Sequence, residues 1–351
     1  MTAQQQVDKL LLETMDNLPP FVRSTIDVAS AIAELNATAQ TIEPVAVPRL
    51  YQIESTSRCN LKCGFCPRTT DLVANKVRDM NAVMSIGDFE AVLDKMPHLK
   101  SLELFHFGEP FMHQDLEAYV KACKQRGIYV VIASNLLPAT PDKVDRVFDA
   151  GLDFLVMDVD SLAADRYANM RVGGTLDLLH KRVVDILARP KRPYCVAQTI
   201  MLDGKCEYTE EEFVAWTGGL RADEVRYKFL DSFRGEIADK GILRPEDICR
   251  EPFYGFAVHV NGNVVPCDRD WGGENVMGNL FEQSVDEIWN GSRYKRFREQ
   301  MKSAVKPDMC RRCEEGRLIN MRSQPMIQVN MFRGKEVQHC NTTSLTIGAT
   351  Q

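Results

Sequence analysis

From residue 48 onward, short apolar runs alternate along the chain with longer segments in which apolar residues recur at helical spacing. The apolar runs predict strands over 50–55, 101–107, 128–133, 153–159, 194–202 and 224–230. Capping residues mark the helices between them, such as Ser85 before the first helix and Gly127 after the second. Strands and helices that alternate in this way predict an α/β fold with a parallel sheet.

The two ends of the chain follow other patterns. Residues 1–45 are polar with helical spacing and are interrupted by Pro19-Pro20, which predicts an N-terminal helical extension. Beyond residue 235, two short apolar runs flank Gly262 and predict a β-hairpin. Residues 284–301 follow and predict one helix.

Alternation within the strands places several charged side chains on one face. Leu155, Met157 and Val159 are predicted to face the outer helices, so Asp158 and Asp160 face the opposite side, at the carboxyl end of their strand. The same argument turns Glu54 and Arg226 inward from the first and sixth strands. In parallel sheets, ligands bind at the carboxyl ends of the strands. Glu54 and Asp160 are therefore candidate substrate contacts.

Asp158 has two interpretations. It is either a substrate-binding or proton-accepting carboxylate, or a structural group that caps a helix or pairs with Arg166 or Arg171.

Composition narrows the class of protein. The chain has 351 residues, 44% of them hydrophobic, which supports a sizeable core. No apolar run reaches the ~18 residues of a membrane span, and the N-terminus lacks a signal-peptide pattern. A net charge of −6 without a basic stripe predicts no nucleic-acid partner and no membrane partner. We predict a cytoplasmic protein, in which eleven cysteines favour metal ligation over disulfides.

Three of the cysteines follow the first strand directly. Cys59, Cys63 and Cys66 have the spacing C-x3-C-x2-C, which suits an iron–sulfur cluster. Three thiolates leave one iron of a 4Fe–4S cluster open for a small-molecule ligand. The spacing alone leaves structural zinc or buried thiols as the alternative.

The segment resembles the cluster loop of the radical S-adenosylmethionine (SAM) enzymes. In that family the open iron binds the methionine amino and carboxylate groups, and one electron releases a 5′-deoxyadenosyl radical that takes a hydrogen atom from a C–H bond. The resemblance implies that residues 46–235 form a partial (β/α)6 TIM-like barrel. It also implies a one-electron reductant such as flavodoxin or ferredoxin.

Other positions match the family's cofactor-binding residues: Phe65, Gly108, Glu109, Ser134, Asn135 and Arg171. By resemblance, Phe65 packs on the adenine and Ser134-Asn135 lies on the ribose side. Phe107-Gly108-Glu109-Pro110 resembles the family's Gly-Gly-Glu-Pro, whose glutamate receives the methionine ammonium, and Phe107 departs from that pattern. Arg171 either binds the methionine carboxylate or is a surface arginine.

A second set of cysteines lies in residues 236–351, namely Cys249, Cys267, Cys310 and Cys313. Their order resembles the small auxiliary-cluster domains called twitch and SPASM, so we predict such a domain followed by a tail. SPASM domains continue with two more cysteines, but the sixth residue after Cys313 is Ile319. Four cysteines suffice for one closed 4Fe–4S cluster, which favours the smaller twitch arrangement. Zinc is the alternative ligand.

These features together predict a radical SAM oxidoreductase. It would take a hydrogen atom from a carbinol C–H of an aminocyclitol or aminoglycoside in antibiotic biosynthesis and form a ketone. Asp158 would take the hydroxyl proton, with Arg226 as an alternative proton or charge partner, and the auxiliary cluster would accept the electron. Three alternatives stay open: an epimerase in which Cys206 returns the hydrogen atom, maturation of a ribosomal peptide, and a non-catalytic metal-binding protein.

Overall fold

A computed structural model describes residues 48–69, 79–201, 206–229, 248–249, 251–311 and 313. The predicted extension over 1–45 and the tail after Cys313 lie outside these ranges. No helix within the described ranges is long and apolar enough to cross a membrane.

A single nine-stranded sheet organises the described chain. Its strands are β1 (Arg49–Ile53), β2 (Ser101–Glu103), β3 (Tyr129–Ser134), β4 (Phe154–Asp158), β5 (Tyr194–Met201), β6 (Glu224–Phe229), β7 (Gly255–Val258), β8 (Asn263–Val265) and β9 (Gly278–Asn279). Strands β1 to β6 are parallel and lie side by side in chain order. The six parallel strands and the helices between them confirm the predicted α/β fold, and their order is that of the predicted partial barrel.

The C-terminal region continues the same sheet. Strand β7 pairs in parallel with β1, from Arg49 opposite Gly255 to Ile53 opposite Val258. Strands β8 and β9 follow in antiparallel order, which confirms the predicted hairpin. Gly262 forms its turn with φ +81°, a left-handed conformation that favours glycine. The C-terminal hairpin therefore lies beside the strand that leads into the cysteine loop.

The helices are α1 (Ile86–Asp94), α2 (Leu116–Gln125), α3 (Pro141–Asp149), α4 (Ala164–Met170), α5 (Leu176–Leu187), α6 (Glu210–Trp216), α7 (Glu251–Tyr254), α8 (Val285–Trp289) and α9 (Ser292–Lys302). Ser85 caps α1 by accepting a hydrogen bond from the Asp88 amide, as predicted. Helix α4 was not predicted. The single helix predicted over 284–301 is wrong, because Asn290 and Gly291 separate α8 from α9.

The two faces of β4 bury different clusters of side chains. Leu155 and Met157 belong to the main core between sheet and helices. The opposite face contributes to a separate inner cluster, whose buried members are Val131, Phe154, Val156 and Val196. The predicted orientation of β4 is thereby confirmed, and Asp158 follows on the inner face at the carboxyl end of the strand.

Candidate active site

The cysteine loop begins where β1 ends and is held against the turn after α4. The Lys62 amide donates to the Val172 carbonyl at 2.9 Å, and the Cys66 amide donates to the Cys63 carbonyl at 3.1 Å. Burial raises the pKa of the Cys59 thiol to about 11 and that of Cys66 to about 12. Because iron binds thiolates, cluster formation must release these protons.

The loop after β2 lies directly on the start of the cysteine loop. The Glu109 amide donates to the Arg58 carbonyl at 2.7 Å. A Cβ atom at Gly108 would lie 1.9 Å from the Thr56 carbonyl oxygen. Glycine is therefore required at this position by the close approach of two backbone segments.

The Glu109 carboxylate joins the ends of β2 and β3. It is only 3% exposed, and it accepts hydrogen bonds from Ser134 Oγ at 2.7 Å, the Asn135 amide at 2.8 Å and the Phe111 amide at 3.0 Å. Burial raises the pKa of Glu109 to about 7, although the three hydrogen bonds act to lower it. Asn135 Nδ2 also donates to Asn60 Oδ1 at 3.0 Å, which links this group to the cysteine loop.

Arg171 connects β4 to the cysteine loop. Its Nε donates to Asp160, its Nη2 lies 3.3 Å from Asp158 Oδ2, and its Nη1 lies 3.8 Å from Cys63 Sγ. The guanidinium carbon is 5.2 Å from the centre of the Phe65 ring. Arg171 is 8% exposed, so this is a buried ionic cluster and not a surface arginine.

Asp158 is the more exposed of the two carboxylates that pair with Arg171. Its side chain is 20% exposed, and its Oδ1 lies 3.4 Å from Gln198 Nε2 on β5. Burial raises its pKa to about 6, with Arg171 opposing the shift. Sequence reasoning missed Gln198, although Cys195 and Ala197 belong to the main core and alternation along β5 turns Gln198 inward.

Three predicted residues lie elsewhere. Arg226 pairs with Glu224 at 2.9 Å and its guanidinium carbon lies 5.9 Å from the Phe154 ring centre, toward the amino ends of the strands. Glu54 is fully buried, and its Oε2 accepts from the Val260 amide at 3.2 Å. Cys206 follows β5, and its Sγ lies 3.9 Å from Met201 Sδ.

The second set of cysteines also comes together. Burial raises the pKa of Cys249 and Cys267 well above the ordinary value, and the neighbouring sulfur of Cys313 adds to both shifts. The Cys313 amide donates to the Cys310 carbonyl at 3.2 Å. In the described part of the chain, no group of three or more His, Cys, Asp or Glu could hold a single metal ion. A 4Fe–4S cluster needs no such group, since each thiolate binds a different iron.

Two family models match the chain at these sites. Residues 53–215 match the radical SAM superfamily, and residues 249–314 match SPASM, an iron–sulfur cluster-binding domain. The chain therefore contains a radical SAM domain and a SPASM domain. It is an enzyme whose radical SAM domain binds SAM and a 4Fe–4S cluster, and its SPASM domain binds auxiliary iron–sulfur clusters.

Two curated relatives are similar to this chain over most of its length. The SAM-dependent 2-deoxy-scyllo-inosamine dehydrogenase of Niallia circulans is 23% identical over 282 residues, covering 75% of this chain and 92% of that protein. The PqqA peptide cyclase of Xanthomonas oryzae pv. oryzae is 24% identical over 309 residues, covering 76% of this chain and 80% of that protein.

Solved structures share the fold. BtrN in complex with AdoMet and 2-DOIA has a TM-score of 0.52 at 19% identity, covering 76% of this chain and 93% of BtrN. Streptococcus suis SuiB bound to precursor peptide SuiA has a TM-score of 0.59 at 15% identity, covering 92% of this chain and 85% of SuiB.

The residues at the radical SAM site fit the family's cofactors. The cysteine loop offers three thiols, and Gly108 lets the loop after β2 lie directly against the start of the cysteine loop. Glu109 is a buried carboxylate suited to a cationic amine, and Phe65 offers an aromatic face beside Arg171.

Proposed function

We propose that this radical SAM enzyme oxidises a carbinol carbon of an aminocyclitol- or aminoglycoside-type small molecule to a ketone, within antibiotic biosynthesis. One observation carries the proposal: Asp158, a partly exposed carboxylate with a pKa of about 6, stands inside the barrel beside the cofactor residues. A carboxylate with that pKa is a base near neutral pH. The similarity to the 2-deoxy-scyllo-inosamine dehydrogenase supports the substrate class.

The cofactor residues receive the following proposed roles. Cys59, Cys63 and Cys66 hold the SAM-binding 4Fe–4S cluster, and Cys249, Cys267, Cys310 and Cys313 hold one auxiliary 4Fe–4S cluster. Glu109 receives the methionine ammonium, while Ser134 and Asn135 serve the ribose side. Residues 46–235 and 236–351 are the corresponding domains.

The proposed reaction removes a hydrogen atom, a proton and an electron, which together make a two-electron oxidation. When bound, SAM and the two clusters supply hydrogen-atom abstraction and electron acceptance. Asp158 takes the hydroxyl proton on its carboxylate, and Gln198 and Arg171 hold that carboxylate in place. Loss of these three particles from C–H and O–H leaves the C=O bond.

Exposure ranks the three candidate carboxylates for contact with the substrate. Asp158 is 20% exposed, whereas Glu54 and Asp160 are 0% and 1% exposed and bind the Val260 and Ile200 amides. Asp158 is therefore the first proposed contact with the substrate hydroxyl. Contacts of Glu54, Asp160 and Arg226 with the substrate stay predictions.

The cellular setting is also proposed. The chemistry requires a one-electron reductant, for which flavodoxin or ferredoxin is suitable, and an oxygen-protected cytoplasmic location. We propose no nucleic-acid partner, in keeping with the net charge of −6.

A second candidate function is maturation of a ribosomal peptide. The similarity to PqqA peptide cyclases favours it, since these relatives match as much of the chain as the dehydrogenase does. An epimerase would require Cys206 as a free thiol that returns a hydrogen atom.

Mass spectrometry separates these functions. Anaerobic reactions would contain the reconstituted enzyme, SAM, dithionite and a panel of aminocyclitols and aminoglycoside precursors in deuterated water. The dehydrogenase proposal expects a product lighter by two hydrogens, with 5′-deoxyadenosine formed in equal amount. Gain of one deuterium with inverted stereochemistry indicates the epimerase. Formation of 5′-deoxyadenosine with the whole panel unchanged contradicts the substrate class and directs the search to peptides.

A further inference from the structure

Arg171 is placed to act on the cysteine loop itself. One arm of its guanidinium points at Cys63 Sγ, at 3.8 Å, while the other two groups face Asp160 and Asp158. At Cys66, burial has the larger effect and raises the pKa of the thiol, while the charge of Arg171 lowers it. The hydrogen bond from Arg171 is therefore directed at Cys63, while its positive charge acts on more than one of the three cysteines.

The position of the guanidinium is fixed by strands β4 and β5. Asp160, which aims Arg171, is itself held, because its Oδ1 accepts from the Ile200 amide at 3.2 Å and its carbonyl accepts from Thr199 Oγ1 at 3.0 Å. Asp160 is 1% exposed. A buried, fully engaged carboxylate of this kind orients a neighbouring group and leaves little surface for a substrate.

The turn after Arg171 is also built to lie on the cysteine loop. Gly173 has φ +96°, and a Cβ atom at Gly174 would lie 3.3 Å from Leu61 Cδ2 in the cysteine loop. The Val172 carbonyl accepts from the Lys62 amide at 2.9 Å, next to Cys63. The backbone of this turn and the side chain of Asp160 together fix the position of the Arg171 guanidinium.

A fixed cation near a cluster sulfur has a definite physical effect. Reduction adds one negative charge to the cluster, and a nearby positive charge or a hydrogen bond to sulfur stabilises that reduced state. We propose that Arg171 raises the reduction potential of the cluster held by Cys59, Cys63 and Cys66 by donating to Cys63, and that Asp160 is the positioning residue for Arg171. The inference rests on the proposed cluster ligands and not on the proposed substrate.

The test is an anaerobic redox titration of the full-length, cluster-loaded protein followed by electron paramagnetic resonance. The signal that changes on addition of SAM identifies the relevant cluster, and its midpoint potential is then measured without SAM. Arg171→Gln is expected to shift the redox equilibrium at least tenfold toward the oxidised cluster. For a one-electron couple, a tenfold shift makes the midpoint potential 59 mV more negative. Arg171→Lys keeps the charge but loses the planar fork, so a smaller shift in the same direction is expected.

Two further variants sharpen the result. Arg166→Gln is the matched control, because Arg166 lies on α4 and pairs with Glu207, and its potential is expected to equal that of the wild type. Asp160→Asn separates positioning from charge. Loss of a negative charge alone would make the potential less negative, whereas release of Arg171 makes it more negative, as we expect.

Each outcome decides the proposal. A wild-type potential in Arg171→Gln and Arg171→Lys overturns it. A less negative potential in Asp160→Asn overturns the positioning role. Loss of the SAM-responsive cluster from both Arg171 variants, with retention in Arg166→Gln, supports contact with the cluster ligands. None of these measurements depends on ketone formation. The potentials therefore test the role of Arg171 even if the proposed function is wrong.

Discussion

Asp158→Asn tests the proposed base most specifically. The change keeps the size of the side chain and its place between Gln198 and Arg171, but it removes the ability to accept a proton. Loss of a positioned general base costs about 10²–10⁴-fold in rate. We expect ketone formation to fall by that factor, while reductive cleavage of SAM to 5′-deoxyadenosine continues and becomes uncoupled from product.

The raised pKa gives the same proposal a signature in pH. Asp158 acts as a carboxylate, so activity must fall as the pH drops through its pKa. Because burial raises that pKa to about 6, the fall begins near neutral pH and not near the ~3.9 of an ordinary aspartate. At pH 5 about one tenth of the residue is ionised, which predicts a roughly tenfold loss from the plateau.

The assay measures ketone and 5′-deoxyadenosine by mass spectrometry between pH 5 and pH 8. Asp142→Asn is a matched control, because Asp142 is 80% exposed and pairs with Arg146 on α3. A wild-type rate of ketone formation in Asp158→Asn would refute the role of Asp158. A rate of ketone formation that stays constant from pH 8 to pH 5 would refute it equally.

Three further predictions concern the cofactor sites. Gly108→Ala places a Cβ 1.9 Å from the Thr56 carbonyl, so we expect the loops to separate and the rate of SAM cleavage to fall about 100-fold; an unchanged rate contradicts the tight approach. The affinity for SAM, measured by equilibrium dialysis, is expected to rise with pH through about 7 as Glu109 ionises. That rise should be absent in Glu109→Gln. Cys310→Ala combined with Cys313→Ala is expected to lower iron from about eight to about four per chain by colorimetric assay, and undiminished iron would disprove the auxiliary cluster.

Local rules were enough to predict the parallel sheet and most helix starts. Alternation along β4 predicted which side chains meet the helices, because successive side chains of a strand point to opposite faces. The cap at Ser85 and the hairpin turn at Gly262 follow from equally local chemistry. The cluster loop was located by its cysteine spacing, and SAM and SPASM assignments agree with the family models.

Long-range contacts were beyond the reach of the sequence. The approach of Gly108 to Thr56 joins residues about fifty positions apart, and no local pattern reports it. The break between α8 and α9 was also missed, since Gly291 lies within an otherwise helical pattern. A Cβ there would lie 2.5 Å from the Glu287 carbonyl, four residues earlier, so the turn between the two helices favours glycine.

The grouping of charges was the least predictable part of the site. Asp160 is predicted to contact the substrate, and Asp158 either to do so or to take a structural role such as pairing with Arg166 or Arg171. Both pair with Arg171, and their exposure differs. Strand alternation placed them on one face but did not decide which of the candidate arginines pairs with them. Only the folded structure therefore shows that Asp158 is partly exposed and Asp160 is buried.

The most direct test of the central claim follows one hydrogen atom. An aminocyclitol that the enzyme converts to a ketone would be prepared with deuterium at the carbinol carbon and incubated with the reconstituted enzyme, SAM and dithionite. Our account predicts that each ketone formed is matched by one 5′-deoxyadenosine carrying one deuterium. Ketone accompanied by unlabelled 5′-deoxyadenosine would contradict hydrogen-atom abstraction from that carbon as the chemistry of this site.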